Sequence, residues 1–224
     1  MKGPHQGQPV RTAGTPLSRA RGAMVMLHGR GATAESILSL ASELDAPDFA
    51  YLAPQAGGNS WWPLSFLAPI ASNEPGISSA LAAVEDVLRQ TTAAGIAPER
   101  TLLLGFSQGA CLATEFAARH AHRYGGVAAL SGGLIGPDGT SRDYAGSLEG
   151  TPVFLGCSDV DPHIPAVRVG ESAEVMRRLG GDVTMRLYPG MKHTINEDEI
   201  AAVQAMMERV PSIRPEPIPD AGFR

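Results

Sequence analysis

Along the chain, apolar residues follow two rhythms. Short unbroken runs occupy residues 23–27 (AMVML), 49–53 (FAYLA), 101–104 (TLLL), 126–131 (GVAALS), 151–155 (TPVFL) and 183–188 (VTMRLY). All six read as strands, and the first, continuously apolar up to a loop, as a strand buried on both faces. Between them apolar positions recur at helical spacing: Ile37, Leu40, Ala41 and Leu44 behind a capping Thr33, then Ile77, Leu81, Val84 and Leu88 up to Gly95. Further helices are predicted after Gly109, over 166–179 with Gly180 and Gly181 closing it, and over 195–210, where Thr194 and Glu197 stand in capping-box register. Strand and helix alternate throughout, which predicts an α/β fold with a mainly parallel sheet and helices on both faces.

Two stretches break the rhythm. Residues 55–76 (QAGGNSWWPLSFLAPIASNEPG) are too long for a simple connection, and loops of that length are usually functional. Trp61 and Trp62, with Phe66 and Leu67, read there either as a wall over an apolar site or as side chains folded back into the core. Residues 134–150 form a second irregular loop. Residues 1–21 lack periodicity and predict a flexible tail or loosely attached edge, with the fold starting at Gly22 and forming one domain over 22–210. From Pro211 onward the proline-rich PSIRPEPIPDAGFR is expected to run extended over the surface.

Composition narrows the class. A chain of 224 residues with 43% apolar and 18% charged residues is an ordinary globular domain, and its formal charge of -5 argues against a nucleic-acid partner. The start has no apolar targeting core and no run approaches a membrane span, so a cytoplasmic protein is expected. Cys111 and Cys157 read as buried thiols rather than a disulfide framework.

The chemistry concentrates at strand ends. Gly105-Phe106-Ser107-Gln108-Gly109 lies between a strand and a helix, which puts Ser107 at a tight apex whose neighbours must be small. A serine hydroxyl needs a base to take its proton, imidazole titrates close enough to neutrality to serve, and a carboxylate behind the ring fixes its tautomer. Asp159 and Asp161 follow TPVFL, and His193 follows VTMRLY. Every candidate thus follows the carboxyl end of a strand, where ligands gather in open α/β sheets. Ser107 reads as nucleophile, His193 as base and then acid, and Asp161 as orienter, favoured over Asp159 because Pro162 stiffens its turn; either aspartate also suits turn capping.

Of the other histidines, His5 falls in the tail, and His120 and His122 end a helix and read as solvent-facing. His28 follows the first strand, and His163 stands beside the aspartates without the second ligand group a metal would need. Two amides must converge on a tetrahedral oxyanion. Gln108 supplies one at its helix start, and Arg30, after the first strand, is the choice for the other; the Arg30 side chain is expected to point into solvent, or else to draw an anionic group to the entrance.

With these residues placed, the chain resembles the phospholipase/carboxylesterase family of α/β-hydrolases over about residues 22–210. The stretches that carry the resemblance are LHGRG (27–31), GFSQGA (105–110), LSG (130–132), DPHIP (161–165) and YPGMKH (188–193). It implies the α/β-hydrolase fold, a triad of Ser107, Asp161 and His193, and an oxyanion hole at Arg30 and Gln108. It also implies cleavage of carboxylic esters of short to medium acyl chains through an acyl-serine, without a cofactor. Trp61, Trp62, Phe66, Leu134 and Ile164 would hold the acyl group.

Lys192 stands where many relatives carry glycine and adds a charge beside the site. Thioester or lysophospholipid cleavage would use the same machinery. A non-catalytic binding protein on this fold is the reading from another class, and the intact trio argues against it. The expected partner is a small-molecule ester bound by a monomer or homodimer, with no nucleic acid and no stable membrane insertion.

Overall fold

In the computed structural model, which describes residues 3–211, the six runs all form strands of one seven-stranded sheet, the first five as its inner strands and residues 183–188 within a half-exposed edge strand. The first half of the chain runs β1 (Val10–Gly14), β2 (Gly22–Leu27), α1 (Ala34–Leu38), β3 (Phe49–Pro54), α2 (Gly76–Ala93), β4 (Thr101–Phe106) and α3 (Gln108–Arg119). The second half runs β5 (Gly126–Leu130), β6 (Pro152–Ser158), α4 (Ala166–Arg178), β7 (Asp182–Tyr188) and α5 (Glu197–Glu208). Strand order is β1-β3-β2-β4-β5-β6-β7, parallel except where β1 meets β3.

Successive side chains of a strand point to opposite faces, so each central strand feeds two cores. Met24 and Met26, Leu102 and Leu104, and Phe154 face one core, closed by Ile37 of α1 and Val203, Met206 and Met207 of α5. Val25, Leu27, Leu103, Val127 and Leu155 face the other, closed by α2, α3 and α4. Burial of both faces is why these segments read as unbroken apolar runs. Among the described residues no helix is long and apolar enough to cross a membrane.

Three expectations are corrected. The fold begins before Gly22: residues 10–14 pair antiparallel with β3 from Val10↔Pro54 to Gly14↔Ala50, and His5 is 4% exposed. A half-exposed edge strand with the sequence VRTAG carries almost no apolar alternation, which hid it. The helix behind Thr33 is short and gives way to a 3-10 turn, Ser39–Glu43, where the Ser39 and Ser42 hydroxyls donate to carbonyls three residues back. The last helix starts two residues later than the 194/197 register implies. Its capping box is Asn196 with Glu199: the Asn196 side chain accepts from Glu199 N at 2.9 Å and Glu199 accepts from Asn196 N at 3.0 Å. The proline-rich stretch beyond Pro211 lies outside the described residues.

Candidate active site

Strand β4 ends at Phe106 and α3 begins at Gln108, so the whole turn falls on Ser107, with φ 55° and ψ −119°. A non-glycine residue in this conformation costs of order 1–3 kcal/mol and persists only when its surroundings hold it. The flanking glycines make that possible. A Cβ on Gly105 would lie 2.1 Å from Gly109 O, and one on Gly109 would lie 2.0 Å from Leu27 O, so any side chain at either position would force β4, α3 and β2 apart. Ser107 N donates to Leu130 O at 2.9 Å, pinning the apex to the neighbouring strand.

His193 and Asp161 arrive from two other strand ends. His193 Nε2 lies 2.9 Å from Ser107 Oγ, and His193 Nδ1 lies 2.7 Å from Asp161 Oδ2. The tautomer with hydrogen on Nδ1 satisfies both contacts: the ring donates to the carboxylate and accepts from the hydroxyl. Phe106 packs on the imidazole with ring centres 5.0 Å apart. The other Asp161 oxygen accepts from His163 N at 2.8 Å and Ile164 N at 3.0 Å, so the residue caps its own turn while meeting the histidine. Burial works to raise the Asp161 carboxyl, but the bonds from His193 and the two amides outweigh it and hold the group below the ordinary carboxylate range.

Asp159 has a different partner. Its Oδ1 accepts from Gly190 N at 2.8 Å, tying the turn that carries His193 to the turn that carries Asp161. Gln108 N–H, in the first turn of α3, has no acceptor within its helix. Arg30 N–H has no hydrogen-bond partner among the described residues, and both residues border the cavity that opens beside Ser107.

That cavity holds about 430 Å³ and is walled by Trp62, Leu64, Phe66, Cys111 and Ile164, with Arg30 and His163 also bordering it. Three of the five side chains predicted to hold an acyl group therefore line it, and two do not. Trp61 is fully buried behind the wall between His5 and His28, and Leu134 is fully buried where its N–H donates to Ser172 Oγ and its carbonyl accepts from Arg168. Arg30 is exposed, and its guanidinium also donates to Pro63 O at 2.6 Å and to Leu64 O.

Sequence reasoning missed the Gln108 side chain. Its oxygen accepts from Trp61 N at 2.9 Å and its amide donates to Trp62 O at 2.9 Å, so it fastens the wall to the helix start. It also missed Cys111 and His163 as cavity residues. His163 meets the His193 ring edge-on at 4.9 Å, and its place directly after Asp161-Pro162 was the only available signal. Cys111 and Cys157 are both free and buried, and burial pushes each thiol up to about 12, which leaves them as weak nucleophiles.

The sequence profile of the phospholipase/carboxylesterase family matches residues 13–210. The chain belongs to the phospholipase/carboxylesterase family. As a member, it is a serine hydrolase of the esterase and thioesterase kind. Within the family, a phospholipase/carboxylesterase structure from Dyadobacter fermentans superposes with a TM-score of 0.87 at 44% identity, covering 91% of this chain and 97% of that one. Acyl-protein thioesterase 1 of Saccharomyces cerevisiae is 28% identical over 86% of this chain and 94% of its own length. Acyl-protein thioesterase 1 of Gibberella zeae is 32% identical, but there the match spans 55% of this chain and 54% of the relative.

Proposed function

We propose that the protein is a carboxylesterase that cleaves small carboxylic esters of short to medium acyl chains through an acyl-serine intermediate. The observation that carries this reading is the continuous hydrogen-bonded line from Asp161 through His193 to Ser107, opening on an apolar cavity. Ser107 Oγ attacks the ester carbonyl carbon as His193 Nε2 takes its proton. The carbonyl oxygen gains the electron pair and is met by the amides of Gln108 and Arg30. As the tetrahedral adduct collapses, the carbon–oxygen bond to the alcohol breaks and His193 returns the proton to the departing oxygen. Water then repeats the sequence on the acyl-serine, His193 accepting its proton and passing it to Ser107, and the carboxylic acid leaves. Asp161 keeps the imidazole in its working tautomer and stabilises the imidazolium formed in each half-reaction.

The wall of Trp62, Phe66 and Ile164 supports an acyl chain rather than a charged group as occupant, because these side chains offer it apolar surface. The thioesterase relatives favour a second reading, in which the same machinery acts on thioesters. Rates on p-nitrophenyl esters of increasing chain length, on acyl-CoA and on lysophosphatidylcholine separate the two. The esterase reading expects kcat/KM to peak among the short to medium esters; a clear preference for acyl-CoA or the lysolipid would replace it.

A further inference from the structure

The wall of the cavity is held from three directions. Gln108 reaches it from α3 and Arg30 from the loop after β2, as described above. The third hold comes from the segment before β1. His5 Nε2 donates to Trp61 O at 2.8 Å, and His5 Nδ1 accepts from Gly57 N at 3.0 Å. The Gly57 amide can only donate, so the ring is neutral, with its single hydrogen on Nε2.

The segment carrying His5 is itself fastened down. His5 N donates to Ser79 Oγ on α2 at 3.0 Å, and Gln6 exchanges two bonds with Ser79, one to its carbonyl at 2.9 Å and one from its hydroxyl at 2.7 Å. The approach is close on both sides: a Cβ on Gly57 would lie 2.5 Å from Pro4 O, and one on Gly3 would lie 2.5 Å from the Ser79 side-chain Oγ. The His5 ring meets the Trp61 indole edge-on at 5.3 Å, and the indole in turn lies 5.0 Å from the His28 ring and donates from Nε1 to His28 O. A continuous line thus runs from His5 through the Trp61 peptide to the Gln108 side chain, and the residue after Trp61 faces the cavity.

We infer that residues 3–9 are a strap and that His5 is a positioning residue which, by holding the Trp61 peptide, sets the shape of the acyl wall and hence which acyl chains are accepted. The inference rests on the cavity being the acyl site. His5 touches neither Ser107 nor any atom that reacts, so its loss acts on substrate fit and spares the chemical step. Loosening the wall costs contacts that only a longer acyl chain makes.

The test compares His5→Phe, which fills the space without hydrogen bonds, with His5→Gln, which can still donate to the Trp61 carbonyl. Of the two tryptophans of the chain, Trp62 lines this wall and Trp61 is packed directly behind it, so acrylamide quenching of tryptophan emission reads the wall and its backing. In the full-length His5→Phe protein, quenching should rise severalfold, and KM for a p-nitrophenyl octanoate should rise about tenfold, with kcat and the acetate ester within about twofold of wild type. His5→Gln should recover most of both. Unchanged quenching in His5→Phe, or an equal loss on every chain length that His5→Gln does not recover, would overturn the strap. Should His5→Phe fail to fold, Ser79→Ala, which removes the hydroxyl bonded to His5 N and Gln6 Oε1, is read by the same two criteria. A wild-type protein that cleaves none of these esters would count against the proposed activity, and the quenching comparison would then decide the strap by itself.

Discussion

Gln108 and Trp61 are joined by a 2.9 Å bond from the Trp61 amide to the Gln108 side-chain oxygen, so the residue after the candidate nucleophile also fixes the cavity wall. In the proposed mechanism its backbone and its side chain serve different ends, the amide N–H meeting the reacting carbonyl while the carboxamide holds residues 61 and 62. Gln108→Ala keeps the first and deletes the second. It leaves the buried Trp61 amide without its partner, a cost of about 1–3 kcal/mol. We expect kcat/KM on a medium-chain ester to fall about 10- to 100-fold through misplacement of the wall, with a lower melting temperature. Steady-state kinetics and thermal unfolding check this; wild-type values in both would show that the side chain holds nothing that matters.

The two aspartates should separate by magnitude. Asp161 Oδ2 meets His193, so Asp161→Asn, which disturbs the tautomer, is expected to lower kcat by roughly 10³- to 10⁴-fold. Asp159 is exposed and, among the described residues, its side chain bonds only the Gly190 amide, so Asp159→Ala should cost about tenfold at most, by loosening the turn before His193. The check is kcat for both variants on one ester. If Asp159→Ala proved the more damaging, the assignment of the orienting carboxylate would be reversed.

What was legible in the sequence, and what was not, divides along contact range. The inner strands were legible because burial on both faces leaves an uninterrupted apolar run, and Ser107, Asp161 and His193 because each lies in the turn that follows a strand run. Asp161 supported both of its readings: one oxygen caps the turn and the other meets the imidazole. His5 was misread because its burial depends on Ser79, Gly57 and Trp61, all distant in the chain, and nothing local marks a strap. The two tryptophans resisted a joint reading because both alternatives hold, one for each. Trp62 lines the cavity, while Trp61 is packed behind it. For the last helix, two overlapping capping patterns fit the letters, and the path of the turn after β7 selects the later one.

Glu199 gives stability a pH dependence with a definite sign. It is fully buried; one oxygen accepts from Asn196 N, and Oε1 has no partner among the described residues. Burial raises its carboxyl from 4.5 to about 7, against the pull of the Asn196 amide and with help from Asp198. The unfolded chain ionises at the lower value, so the favourable contribution is full below it and is lost as pH rises through the folded value. The total is roughly 3 kcal/mol at most. Glu199→Gln keeps an oxygen for Asn196 and removes the charge. Melting temperatures measured at about pH 5 and about pH 9 should differ more in wild type than in the variant, wild type losing stability on the alkaline side; parallel profiles would show that Glu199 does not titrate in this range.

The central claim is that Ser107, activated by His193, attacks an acyl carbon. The most direct measurement treats the folded protein with a fluorophosphonate and maps the adduct by peptide mass spectrometry, with Ser107→Ala and His193→Ala as companions. A single adduct on Ser107, formed at a rate reduced by several orders of magnitude in His193→Ala and absent from Ser107→Ala, is the predicted result. Folded wild-type protein that leaves Ser107 unlabelled, or an ester-cleaving Ser107→Ala protein, would contradict the account.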